Sequence, residues 1–425
     1  MRCAVPVLCS PRLPVAVCVA VGAITAVPAA YDIWRVVTIV LDQLQGPAEA
    51  TDFLNLYAGA RLFVTAPQDT YAFDAQLALQ RSLTARDSQL VPFYLPPYAA
   101  LLVSWLGWLA YPVAYLVWLG IGMACFLVAF RWLAPEWTRW SVLVWSGIAM
   151  LFLPALLGLA QGQTSALMLV CTAAFARGML ERRRAANRVG LGLVGLALKP
   201  QFAPAFGWAL LVARCWCSLV IAAVVIGVLA AVALIRLGET GSAAYAVASR
   251  QKLVETFTAD PLFLLGPTLV HASHWYLGVN AAAHAVAACL VVGVLGCVVY
   301  VWRSGPADDD AALLQLALLP VAAIIAAPYA LVYELTIWLV SFWLLWRYTV
   351  QRPGARAVLL WLTAAIWVAG NIGVALPRAG GADVPALLGL CAVGFITWLF
   401  QTHPAHASDT LRLNSIGRPR GGASS

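Results

Sequence analysis

The sequence predicts an all-α protein that folds as a polytopic bundle of transmembrane helices. Three observations indicate this class: hydrophobic residues make up 63% of the 425 residues, charged residues make up only 10%, and the mean hydropathy is +0.86. A soluble domain could not hide this much apolar surface from water, whereas a polytopic bundle leaves it in lipid. We therefore expect an integral membrane protein.

The positive charge is distributed as in a membrane protein. The formal net charge of +8 comes from tails and loops, which fits the positive-inside rule and excludes a nucleic-acid-binding groove. Only two of the 26 basic residues are lysines, Lys199 and Lys252, a bias typical of a GC-rich bacterial genome. We infer no mechanism from that bias. Most of the ten cysteines lie in apolar runs without a CxxC spacing, so we expect small core residues.

The first apolar run sets the orientation. It covers residues 13–30, is too long for a signal peptide and has no cleavage site, so we expect a retained span. Arg2 and Arg12 before it place the amino terminus in the cytoplasm. Residues 42–92 then form an outer loop that contains short interfacial helices, with six acidic residues against three arginines.

The remaining apolar runs predict about 11 to 13 spans in total. They cover roughly 98–130, 140–160, 164–180, 189–213, 216–237, 262–272, 279–302, 311–327, 330–346, 357–376 and 384–400. We expect residues 1–400 to form a single transmembrane domain. The segment 401–425, with arginines among Gly and Ser, is expected to be a disordered cytoplasmic tail.

The arginines between the spans constrain this layout. If all their clusters face the cytoplasm, the stretch 93–130 crosses the membrane once. Pro96 and Pro97 allow its first part to lie at the outer surface or to re-enter, because proline lacks an N–H and interrupts a helix. The outer side then holds Asp52 together with four polar interruptions: Gln161–Gln163, Lys199–Gln201, the loop 238–261 and Tyr329–Glu334.

Asp52 is the first candidate for chemistry. It follows the first span, within the one long polar interval of the chain, of about fifty residues. A carboxylate at the water boundary is where an enzyme acting on a lipid-linked substrate would keep its base. Alternatively, Asp52 caps a helix from Phe53 to Val64, since Asp is a favoured N-cap. The residues alone leave both interpretations open.

Lys199 is the second candidate, because apolar residues surround it. An ammonium group in hydrocarbon costs about 2.5 to 3.5 kcal/mol, so a lysine kept there usually has a partner. Pro200 breaks the helix, and two arms of roughly eleven residues, each about 16 Å long, would place Lys199 at the tip of a hairpin in an outward cavity. There it could meet a lipid phosphate. The alternative is snorkelling toward the interface.

Four other polar residues have more than one interpretation. Gln163 either hydrogen-bonds between helices or contacts a polar ligand. Glu334 is either a second site carboxylate or an acidic residue at a helix start. His271 and His274 could be metal ligands, but no carboxylate or cysteine stands at a fitting spacing, so we expect no metal site.

Several segments, taken together, resemble glycosyltransferase family 87 of the GT-C superfamily. The resemblance rests on Thr51–Phe53 with Tyr57, Ala60 and Arg61, then Tyr71, Phe93–Pro97, Ala100–Leu102, Gly162-Gln163 and Gly195–Gln201. A weaker segment, Pro328–Glu334, resembles a later motif that usually carries Tyr-Asp where this chain has Tyr333-Glu334. The order and spacing of these segments, which cover most of residues 50–215, carry the resemblance.

The resemblance implies a GT-C-type fold and a membrane glycosyltransferase of the bacterial inner membrane. Such enzymes move a sugar, often mannose, from a polyprenyl-phosphate donor to a hydroxyl of a lipid or glycan acceptor on the periplasmic or outer face, with inversion. Asp52 matches the family's acid and is the expected base, while Lys199 and Gln201 would bind the donor phosphate. A polar cavity is expected from the side chains Gln163, Tyr57, Arg61, Tyr333 and Glu334. We expect no cofactor other than the donor substrate and no metal, since the phosphate leaves as a lipid-bound monoester.

A transporter or flippase of a lipid-linked substrate is the alternative function. It would also explain a lysine in mid-membrane, but it is expected to show internal repeats, and the Lys-Pro break has no second copy. A scaffold without activity would need none of the polar residues.

Overall fold

The structure is a computed structural model that describes residues 33–45, 51–84, 90–181, 185–258, 266–306, 308–351 and 384–402, with 364–365 and 367–368. The predicted first span at 13–30 and the tail beyond 402 lie outside the described residues. The predicted run 357–376 lies almost wholly outside them.

Helices are the regular structure throughout the described ranges, so the all-α class is confirmed. In chain order they are α1 (33–45), α2 (Asp52–Thr65), α3 (Phe73–Leu83), α4 (Pro97–Val103), α5 (Tyr111–Leu133), α6 (Arg139–Met150), α7 (Leu153–Ala160), α8 (Ser165–Leu180), α9 (Ala186–Leu196), α10 (Ala203–Val212), α11 (Trp216–Thr258), α12 (Leu269–Leu277), α13 (Ala281–Arg303), α14 (Asp309–Ile325), α15 (Trp338–Gln351) and α16 (Val384–Gln401). Short 3₁₀ turns occupy Pro67–Asp69, Ser104–Trp108 and Val332–Ile337.

Four of the described helices are long and apolar enough to cross a membrane: α5, α11, α13 and α16. A fifth span would result if α6 and α7, which meet at 85°, formed one broken crossing. The protein is therefore a membrane protein, and the count of 11 to 13 spans stays a prediction.

The run 140–160 is not one straight span. It divides into α6 and α7 because Pro154 stands in the first turn of α7. Proline lacks an N–H, so it fits the first turn of a helix but cannot continue the helix that precedes it. In the stretch 93–130, α5 is the one helix of spanning length among the described helices, and α4 has only seven residues. This agrees with the single crossing that the arginines require.

The predicted loop 238–261 is wrong over its described part, because α11 continues to Thr258. The helix bends at Gly238, whose φ of 67° lies in the left-handed region that favours glycine. Beyond the bend, polar side chains recur at helical spacing and line a cavity, which explains why a helix here is polar. They are Tyr245, Ser249, Lys252 and Thr256.

The buried apolar residues form two clusters. The larger cluster joins the helices from α5 to α10 with α13 to α16, and the smaller cluster packs α2 and α4 against α5 and α11. The turn between α7 and α8 links them: Trp118 Nε1 donates to Gly162 O at 2.8 Å, and Tyr115 OH donates to Ala160 O at 2.7 Å. Phe53, fully buried on α2, lies directly against Gly162.

We expect Gly162→Ala to destabilise the protein. Gly162 has a φ of 69°, and a Cβ there would lie 2.5 Å from the Cβ of Phe53. A non-glycine residue in this conformation costs about 1–3 kcal/mol before any clash. The matched control is Gly207→Ala in α10, where nothing lies within 4 Å and alanine favours the helix. Thermal unfolding in detergent should show a lower midpoint for Gly162→Ala alone, and equal midpoints for both variants would contradict this prediction.

Candidate active site

A cavity of about 400 Å³ collects most of the predicted site residues. Its walls come from the start of α2, residues 91–96, the α7–α8 turn, the α9–α10 turn, the second half of α11 and residues 328–334. Its ionisable residues include two carboxylates and two lysines: Asp52, Glu334, Lys199 and Lys252.

A larger cavity of about 970 Å³ lies at the opposite ends of α8 and α9. Arg214, Arg303 and Asp309 line it, but none of the predicted site residues does. The smaller cavity is therefore the candidate active site.

Asp52 is the first residue of α2, and the N-cap position belongs to Thr51, whose side chain makes no capping bond. The predicted helix is present, but the interpretation of Asp52 as its N-cap is wrong. The carboxylate Oδ2 instead accepts a hydrogen bond of 3.0 Å from the hydroxyl of Tyr333. A helix start also stabilises a negative charge through the helix dipole. Asp52 is thus held at the cavity wall by Tyr333.

Lys199 lies in the turn between α9 and α10, as the Lys-Pro break predicted. Its side chain is only 11% exposed, so it does not snorkel to an interface. Its Nζ forms an ion pair with Glu334 Oε1 and donates to Gln163 Oε1 at 3.0 Å. The partner that a buried lysine requires is therefore present, 135 residues away in the sequence.

Glu334 lies at the start of a short 3₁₀ helix and also lines the cavity, while its role in the site stays a prediction. Its Oε2 accepts from the backbone N–H of Leu331 at 2.9 Å, as an acidic residue does at a helix start. Its Oε1 pairs with Lys199, and the side chain is 2% exposed. Tyr333 and Glu334, neighbours on one 3₁₀ turn, thus bind Asp52 and Lys199 respectively.

Gln201 and Tyr329 both line the cavity. Gln163 lies in the turn between α7 and α8 and accepts a hydrogen bond from Lys199, as the interhelical interpretation predicted. Both residues therefore lie where the sequence placed them, in one cavity with Asp52.

Tyr57 and Arg61 do not line this cavity, which corrects the prediction that they do. Tyr57 OH donates to Leu109 O at 2.8 Å, and Arg61 Nη1 donates to Gly107 O at 2.6 Å. Arg61 follows Asp52 by nine residues, which rotates it by about 180° around the helix. The two side chains therefore hold the segment after α4 from the far face of α2.

Lys252, Tyr94 and Tyr329 also line the cavity, and the sequence analysis did not name them as site residues. Lys252 Nζ lies 4.6 Å from the ring centroid of Tyr329 and 5.3 Å from that of Tyr94. The hydroxyl of Tyr94 donates to Glu255 at 3.0 Å, and burial, followed by the negative charge of Glu255, raises the pKa of Tyr94. The rarity of lysine was the available signal, because both lysines of the chain line this cavity.

We expect Tyr333→Phe to lower kcat by about tenfold, with little change in KM. The variant keeps the ring but removes the hydrogen bond that orients Asp52, which is worth about 1.5–3 kcal/mol to a charged group. Tyr115→Phe is the control, because it removes a buried hydrogen bond to Ala160 O outside the cavity wall. Steady-state kinetics of the two variants should separate positioning from a general loss of stability; an unchanged kcat in Tyr333→Phe would refute the positioning role.

The described ranges contain few candidate metal ligands close together. They contain no group of three or more His, Cys, Asp and Glu side chains that could hold an ion, and His271 and His274 are included in that statement. The absence of a metal requirement stays a prediction.

The comparisons with known proteins bear on the same residues. No curated protein and no solved structure matches the chain. The family model described as "Glycosyltransferase family 87" matches residues 93–328. The matched range includes Gln163, Lys199 and Lys252 and ends shortly before Tyr333. Because the match covers more than half of the 425 residues, the chain belongs to glycosyltransferase family 87 and is a membrane glycosyltransferase.

Proposed function

We propose that the protein transfers a sugar, with mannose as the first candidate, from a polyprenyl-phosphate donor to a hydroxyl of a lipid or glycan acceptor, with inversion. The site would face the periplasm or cell exterior, at the inner membrane of a bacterium. The observation that carries the proposal is that Asp52 shares one cavity with two lysines in a helical membrane protein. A base and cations are the two requirements of such a displacement.

The chemistry follows from these groups. The acceptor oxygen attacks the anomeric carbon and forms the new C–O bond, while the bond from that carbon to the phosphate oxygen breaks. Asp52 takes the proton of the acceptor hydroxyl, and the phosphate leaves with the electron pair. Attack from the face opposite the phosphate inverts the anomeric centre in one step.

Lys199 and Gln201 are proposed to lie on the phosphate side of the cavity. Lys199 is held by its ion pair with Glu334 and by its hydrogen bond to Gln163, so its ammonium is fixed in place before a donor binds. An electrostatic environment arranged in advance stabilises the charge that develops on the leaving phosphate.

The function is tested with membranes that contain the protein. They are incubated with radiolabelled polyprenyl-phosphate sugars of several kinds, beside membranes that contain Asp52→Asn. We expect one sugar to appear in a product made only by the native protein. Transfer from none of these donors, or equal labelling by both membranes, would overturn the proposal; movement of label across the bilayer without a product would favour a flippase.

A further inference from the structure

The two lysines that line the cavity differ in their ion pairing. Lys199 forms an ion pair with Glu334, whereas Lys252 belongs to none of the ion pairs formed by the residues the structure describes. A pair of opposite charges attracts an anion less strongly than a lone cation does. Lys252 should therefore attract an anionic ligand more strongly than Lys199 does.

Two aromatic rings contact Lys252 but carry no negative charge that would balance its positive charge. Its Nζ lies over the rings of Tyr329 and Tyr94, which attract a cation through their electron-rich faces. Burial, followed by the negative charge of Glu334, raises the pKa of Tyr329, so its phenol stays neutral at physiological pH. Neither ring contributes a negative charge that would cancel that of Lys252.

The charge balance of the cavity points the same way. With Asp52 and Glu334 ionised, the two carboxylates that line the cavity balance its two lysines, and Glu255, outside the cavity wall, adds a negative charge near Lys252. When Asp52 takes the acceptor proton it loses its charge, and the departing phosphate gains one negative charge. A lysine outside any direct ion pair of the described residues, as Lys252 is, is best placed to stabilise the new charge on that phosphate.

We propose that Lys252 binds the donor phosphate, with Tyr94 and Tyr329 positioning its ammonium group. This assignment rests on the proposed function, because it takes a lipid-linked phosphate as the ligand. Lys199 contributes the second positive charge from its pair with Glu334. The site thus recognises an isoprenoid phosphate through two lysines on different helices, and one of them lies on the polar half of α11.

The test uses the full-length protein, purified in detergent, with a polyprenyl phosphate and the uncharged polyprenol of equal chain length as probes. The native protein is expected to bind the phosphate more tightly than the alcohol. Lys252→Gln should weaken binding of the phosphate by about tenfold or more and leave binding of the alcohol unchanged, because a charge-assisted contact is lost. Lys252→Arg should restore most of the preference.

The outcomes separate the two proposals. If the native protein binds phosphate and alcohol equally, the lipid-phosphate donor itself is wrong. If the native protein discriminates and Lys252→Gln discriminates equally well, Lys252 does not hold the phosphate, although the proposed function survives.

Glu255→Gln provides a variant whose expected result cannot come from misfolding. Glu255 accepts hydrogen bonds from Tyr94 and Gln251, and its charge acts on Lys252 three residues earlier. The glutamine can still accept from Tyr94 but removes the negative charge, so binding of the polyprenyl phosphate should tighten severalfold. Unchanged or weaker binding would count against the role of Lys252.

Discussion

Replacing Asp52 with asparagine is expected to lower the rate of sugar transfer by about 10²–10⁴-fold, the range that general base catalysis contributes. The amide has nearly the shape of the carboxylate and can still accept the hydrogen bond from Tyr333, so the fold should be kept. It cannot take a proton from an acceptor hydroxyl. Single-turnover rates with a labelled donor, together with binding of polyprenyl phosphate, measure the two effects separately.

The matched control is Asp74→Asn. Asp74 is an exposed carboxylate in the first turn of α3, so it shares the position of Asp52 at a helix start but does not line the cavity. We expect native transfer by this variant. A purified Asp52→Asn protein that turned over at the native rate would show that another group is the base.

Breaking the ion pair between Lys199 and Glu334 has the largest expected effect on stability. Both side chains are buried, at 11% and 2% exposure, so removing one partner leaves the other as an uncompensated charge. Such a loss costs about 3–5 kcal/mol. Lys199→Met and Glu334→Gln should each lower the free energy of unfolding and reduce transfer.

The double variant Lys199→Met/Glu334→Gln distinguishes stability from function. Without either charge the desolvation penalty disappears, so we expect most of the stability to return while transfer stays low. Reversible denaturation in mixed micelles measures the first effect, and donor turnover measures the second. Full recovery of transfer in the double variant would mean that the pair is purely structural.

An exposed ion pair supplies the control for this experiment. Arg177 and Glu181, one turn apart on and just after α8, are 26% and 32% exposed. Arg177→Gln should cost only about 0.2–1 kcal/mol, because water screens an exposed pair. A cost equal to that of Lys199→Met would show that burial does not set the strength of these pairs.

Much of the fold class and part of the site follow from local sequence. Hydropathy predicts the helices and the membrane, because burial in lipid depends on each segment's own composition. The break at Lys199-Pro200 follows from the missing N–H of proline. Asp52, Gln163, Gln201 and Glu334 stood out because each interrupts or borders an apolar run.

The errors arose where a local pattern has more than one tertiary outcome. The polar residues after Gly238 looked like a loop, but they line a cavity from a helix. Tyr57 and Arg61 belong to the resembling segment around Asp52, yet the helical rotation turns them to the far face of α2. Lys252 carried no local signal beyond its rarity.

The sequence by itself determined that this chain is helical, embedded in a membrane and interrupted by a few costly polar residues, because those properties depend on neighbours along the chain. Only the tertiary structure decided which of these residues meet. Tyr333 and Asp52 are 281 positions apart and Lys199 and Glu334 are 135 apart, so their contacts depend on how the helices pack. Packing also left Lys252 between two aromatic rings, because residues spaced along one face of α11 meet the turns of other helices only in the folded bundle.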